Sequence, residues 1–257
     1  MKIFVCEDSL EGIFTGVYDA WAAAGPHTEK RLITGDTWNM ELFAEYVTVL
    51  PDAKKAEKVI RTLKSRLGYE AYEQLCYAAM SDAIDKADAI YHTIVTAFSM
   101  RDSKRVFQNM HDPAVMRCFA LGRTVGGEAT HHLEFIRFCE LENGVLFARC
   151  TPKNRITLVL AEHFSDRFPS ENFIILNATH HEAVLHAAGE HTYILCDSEA
   201  LLQEQPGAYS ETEELFQDLW KDYFEAMTIE DRRNEKLQRQ LFPKRYWKDS
   251  VELKDKA

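Results

Sequence analysis

The side chains best suited to chemistry on a polyanion crowd into residues 229–248, the stretch IEDRRNEKLQRQLFPKRYWK. Arg232, Arg233, Lys236, Arg239, Lys244, Arg245 and Lys248 stand there against three acids, a local charge of +4 in a chain whose net charge is -11. Phe242, Tyr246 and Trp247 are interleaved with the cations, and cations beside rings are what a phosphate backbone with stackable bases requires. On helical spacing Arg232, Lys236 and Arg239 share a face opposite Leu237 and Leu241, with Thr228 as the cap and Asn234 inside the basic set. Pro243 ends the helix and delivers Lys244, Arg245, Tyr246 and Trp247 to the following surface. The competing reading is an ordinary solvated helix face with the Tyr-Trp pair folded back on the body.

A second group could hold an anion. Phe135 to Leu141 alternates, Asn143-Gly144 reads as a two-residue hairpin turn, and Val145 to Cys150 returns. That register pairs Leu141 with Leu146, Cys139 with Ala148 and Arg137 with Cys150. A half-buried Arg137 needs a negative partner, either a carboxylate of the chain or a ligand phosphate. With His163, Arg167 and His180 it forms a candidate phosphate or nucleotide site. Seven histidines fall in this region (His131, His132, His163, His180, His181, His186 and His191), and His180, Glu182 and His186 share a face by parity. No fixed metalloenzyme spacing accompanies them, so no metal is expected. His92 lies beside an apolar helical stripe and reads as a core or boundary residue. Asp8, Ser9 and Glu11 follow the first strand, where ligands gather in α/β proteins, but without a glycine-rich phosphate loop they read as a turn and a cap.

The elements that must position these residues form one domain, 1–257, of α+β class: an antiparallel, hairpin-containing sheet packed with many helices. A hydrophobic content of 46% over 257 residues supports an ordinary core. No apolar run approaches a membrane span, the start MKIFVCEDSLEG is not a signal peptide, and six scattered cysteines hold neither CxxC nor cluster spacing. The expectation is a cytoplasmic protein with reduced thiols, no membrane contact and no cofactor. Met1–Cys6 is a strand and Ser9 caps a helix to Ala24. Arg31–Thr34 is a short strand with Gly35-Asp36 its exit. One helix runs from Pro51 to Gly68, and one or two more cover 72–98. A further helix starts at Asp112-Pro113, with Gly126-Gly127 bending or interrupting it. A helix to Phe168 follows, then strands 173–177, 183–186 and 191–196, a loop 203–209, and a Ser210/Glu213 capping box. That box opens a helix whose apolar face, Leu215 to Met227, is expected to dock on the body.

Phe135-Ile136-Arg137-Phe138, Pro152-Lys153-Asn154, His163-Phe164 with Arg167-Phe168, and Phe173 to Thr179, together with Arg233-Asn234 and Pro243 to Lys248, resemble the bacterial family named "probable DNA metabolism protein", a domain of unknown function. The resemblance implies a role in DNA repair or modification. Members stand alone beside a radical SAM protein or are fused to a uracil-DNA glycosylase-like domain. The glycosylase loops are missing here, so base excision by this chain is not expected, and any cluster would come from the radical SAM partner. Three readings remain open: an accessory protein holding DNA or that partner through 229–248, an enzyme using Arg137, His163 and Arg167, and a protein-interaction subunit.

Overall fold

The computed structural model describes residues 1–35, 41–190, 192–198 and 207–254, so Asp36, His191 and most of the loop 203–209 lie outside the described residues. The architecture is mixed α+β, and the chain divides into two compact units, Met1–Gly127 and Glu128–Ala257.

In the N-terminal unit, β1 (Lys2–Cys6) is the centre of a three-stranded sheet. It pairs in parallel with β2 (Lys30–Thr34) on one side and β3 (Glu45–Thr48) on the other. The first strand thus belongs to a sheet of its own. Helix α1 (Leu10–Ala22) begins where the Ser9 hydroxyl accepts from Gly12 N at 2.9 Å, and buries Ile13, Phe14, Val17 and Ala20. Asp8 and the buried Lys86 ammonium form an ion pair, so this strand end is occupied by the chain's own charges. Helix α2 (Ala53–Leu67) starts at Asp52, whose carboxylate accepts from Lys54 N and Lys55 N, and ends at Gly68 (φ 84°), a left-handed turn that glycine tolerates without strain. Helices α3 (Tyr69–Ala79) and α4 (Lys86–Ser99) complete the layer, so the long stripe of 72–98 is two helices. His92 is the boundary residue expected, its Nε2 facing the Lys30 carbonyl at 3.1 Å.

Helix α5 (Pro113–Phe135), opened by Asp112 Oδ1 accepting from Ala114 N and Val115 N, runs unbroken through Gly126-Gly127. It therefore takes Phe135 out of the expected strand. The C-terminal unit holds a five-stranded sheet in the order β4-β5-β6-β7-β8, from β4 (Phe138–Glu140), β5 (Leu146–Cys150), β6 (Phe173–Asn177), β7 (Glu182–His186) and β8 (Tyr193–Asp197). The sheet is not purely antiparallel. β5 and β6 run parallel, joined through α6 (Thr157–Arg167), because two parallel neighbours need a crossover. The hairpin register also differs from expectation: Phe138 faces Ala148, Cys139 faces Phe147 and Glu140 faces Leu146. Leu141 N donates to Val145 O at 2.9 Å, making the loop three residues long with Gly144 at φ 77°. One extra loop residue shifts the pairing by one, and Arg137 lies outside the ladder. Helices α7 (Glu211–Ala226) and α8 (Glu235–Leu241) follow.

Candidate partner-binding site

The family-like motifs prove to be builders of the C-terminal unit. Phe138 meets Phe164, Phe168 and Phe173 edge-on at 4.9, 5.5 and 5.8 Å. Glu128, 5% exposed, accepts from Lys153 N and Asn154 N at 2.9 Å each and from Asn154 Nδ2 at 2.6 Å. At the carboxyl ends of β5 and β6, Asn177 Nδ2 donates to Thr157 Oγ1 at 2.8 Å, and that hydroxyl donates to Glu182 at 2.6 Å. Arg155 adds a 3.1 Å contact to the same carboxylate, and His180 Nε2 faces the Lys153 carbonyl at 3.2 Å. Where α/β sheets commonly receive ligands, this one is knitted together by its own polar groups.

The four anion-site candidates are not brought together. Arg137 binds the nearly buried Glu252 at 3.1 Å and the carbonyls of Glu134 and Ile136, so its negative partner belongs to the chain. His163 and Arg167 lie exposed on α6, and His180 is held in its turn. No hydrogen bond, ion pair or ring contact joins any two of the four among the described residues. The His180, Glu182, His186 face holds no metal cluster either. His186 turns its ring nitrogens to the carbonyls of Glu171 and Glu190, and no group of three ligands capable of holding an ion occurs among the described residues.

The basic segment departs from a single helix. Glu230–Arg232 is a 3-10 turn, Arg233 is extended, and only Glu235–Leu241 is α-helical, capped by Asn234 Oδ1 accepting from Leu237 N at 3.0 Å. Asn234 is thus a cap, while the expected cap, Thr228, donates back to the Phe224 carbonyl. Tyr246 and Trp247 are 6% and 5% exposed and offer no ring face to a base. Tyr246 lies edge-on to His132 at 4.9 Å, and Trp247 Nε1 donates to the Phe242 carbonyl at 2.9 Å. Phe242 stacks on Phe135 at 4.2 Å. Arg233 and Arg239 sit in exposed pairs with Glu230 and Glu235, and Arg245 donates to the Tyr246 hydroxyl at 2.8 Å. Lys244 lies over the Trp247 ring. Among the described residues Arg232, Lys236, Lys244, Arg245 and Lys248 meet no carboxylate within ion-pair distance. His132, 4% exposed, keeps an unpartnered Nε2, and burial pushes its pKa down to about 4.

What the segment does build is a groove. Residues of 224–253 line a cleft of about 810 Å³ in which Met227, Ile229, Leu237 and Leu241 are mixed with Arg232, Arg233, Arg239 and Lys244 and with Glu225, Glu230 and Glu235. The apolar face of α7 does not dock as expected. α7 is tied down by another edge: Glu213 accepts from Glu140 N, Gln217 reaches Cys139 Sγ, and Trp220 Nε1 donates to Glu252. Leu215, Phe216, Leu219, Tyr223 and Met227 remain exposed, Phe216 by 61%. Sequence periodicity found that stripe but could not show what covers it. Contiguous exposed apolar surface of this kind marks an interaction site.

Fold and groove together define a mixed α+β protein with an open apolar surface beside a cleft of mixed charge. A family model for a domain of unknown function, DUF4130, matches residues 84–252, more than half of the chain, and the protein belongs to that family. No curated protein matches it. Among the described residues no helix is long and apolar enough to cross a membrane.

Proposed function

We propose that this chain is an accessory protein of DNA metabolism that binds a partner protein through the exposed α7 stripe and the groove beside 229–248. The DNA-metabolism part follows from the motif resemblance, which also nominates a radical SAM protein as the partner. The observation that carries the docking part is that the apolar stripe, Phe216 to Met227, reaches at Met227 a groove in which Arg232 and Lys244 meet no carboxylate among the described residues. Such a surface fits a partner segment with apolar anchors and carboxylates around them, because desolvated apolar contacts supply affinity while rim charges steer orientation. Burial of Tyr246 and Trp247 favours this over base stacking at the same segment. Among the described residues Arg137, His163, Arg167 and His180, on which the enzyme reading rests, do not converge.

Size-exclusion chromatography of the full chain mixed with the radical SAM partner tests the proposal. The expected result is a stoichiometric complex that survives nuclease treatment and is lost in Phe216→Glu/Leu219→Glu, whose circular dichroism stays that of the parent because both residues are exposed. No complex, a complex abolished by nuclease, or one indifferent to the double substitution refutes it.

A further inference from the structure

The most basic helix among the described residues is α2, in the N-terminal unit and outside the family match, which begins at residue 84. Its fifteen residues carry Lys54, Lys55, Lys58, Arg61, Lys64 and Arg66 against one acid, Glu57. A merely solvated helix in a chain of net charge -11 would be expected to balance its cations with acids at i, i+4. Here Lys55 pairs with Asp19 at 2.7 Å and Arg61 with Glu57 at 2.6 Å, while Lys54, Lys58, Lys64 and Arg66 meet no carboxylate among the described residues. Aromatic rings take that place. Lys58 lies 5.6 Å from the Tyr18 ring centroid, Lys64 4.7 Å from that of Tyr72, and Arg66 5.4 Å from that of Phe98.

Beside this row an apolar cleft of about 430 Å³ opens between α1, α2 and α4, lined by Tyr18, Trp21 and Phe98 opposite Lys58 and Thr62. Trp21 is 42% exposed, held by its contacts with His27 at 4.5 Å and Phe98 at 5.3 Å. A held but open indole, with Lys58 in the cleft wall and Arg66 over Phe98 about 12 Å further along the helix, matches the two demands of a single strand: a platform for a base and a track for its phosphates.

We propose that α2 and the Trp21 cleft bind single-stranded nucleic acid, the phosphates on Lys58 and Arg66 and a base on Trp21. The site shares no residue with the α7 surface and goes beyond the partner-docking reading. The test is fluorescence anisotropy of the full chain with a labelled twelve-nucleotide deoxythymidine strand and with a duplex of equal length. Saturable binding of the strand is expected at about 50 mM salt, with a log-log salt slope of about -1 to -2 for two phosphates. Lys58→Glu/Arg66→Glu should weaken it more than about tenfold and flatten the slope. Trp21→Ala should cost about fivefold or more and remove the quenching of tryptophan fluorescence, while Trp21→Phe, which keeps a ring, should retain most of the affinity. Phe216→Glu/Leu219→Glu should leave binding unchanged, which separates failure here from failure of the docking surface. Absence of binding, binding unmoved by the α2 substitutions, or duplex binding as tight as the strand's with no response to Trp21→Ala overturns the proposal.

Discussion

Replacing Glu128 tests whether the motif residues Lys153 and Asn154 serve the fold. The Glu128 carboxylate is nearly buried and takes three donors, two backbone amides and the Asn154 side chain. Glu128→Ala removes this acceptor from all three. Each unsatisfied buried donor costs about 1–3 kcal/mol, and partial relaxation brings the sum to about 3–5 kcal/mol, a large share of a typical domain's stability. Glu128→Gln retains one oxygen as acceptor but sets an amide NH2 against a donor, so about 1–3 kcal/mol is expected. Urea unfolding, followed by far-UV circular dichroism and by the fluorescence of Trp220 and Trp247 in this unit, measures both. An alanine variant within about 0.5 kcal/mol of the parent, or a glutamine variant as costly as alanine, would refute the account.

Two further outcomes follow from packing and burial. His132 is neutral in the folded unit, its pKa lowered from 6.5 to about 4 by burial first, with Arg245 and His131 adding and Glu128 opposing. Below pH about 6.5 the unfolded chain takes up a proton that the folded one refuses, so stability is full above that pH and falls by roughly 3 kcal/mol as pH drops towards about 4. His132→Phe should flatten that acid limb in pH-dependent urea titrations. In the N-terminal unit, a Cβ at Gly16 would collide with Cys6 Sγ and press on Leu32 Cδ2 at 3.3 Å, so Gly16→Ala should lower the midpoint of thermal unfolding, at a cost of about 1–3 kcal/mol.

Much of this fold was legible in local signals. Ser9, Asp112 and Ser210 cap their helices through side-chain oxygens, and the β6 and β7 strands lie where apolar runs put them. Long-range choices were not. Whether β5 and β6 run parallel depends on the path of α6, which periodicity does not encode, and four-residue β3 is too short to announce itself. Gly126-Gly127 looked like a break, yet two glycines cost a helix only about 2 kcal/mol against alanine, and buried Val125 and Ala129 on either side hold it in place. For the site, the charge of 229–248 was visible but the fate of its rings was not, because Tyr246 is packed by Phe135 and His132, more than a hundred positions away. The basic run of α2 was equally visible in composition. Its meaning depends on Trp21 and Phe98 arriving beside it from other helices.

The docking proposed for the uncovered α7 stripe carries a cellular consequence. A protein whose oily face is shielded only in a complex gains apparent stability by mass action from each partner molecule available. Made in excess, it would be handed to chaperones and proteases. Its steady-state amount should therefore track the supply of its companion, and production in a foreign host should yield more usable material when both chains are expressed together.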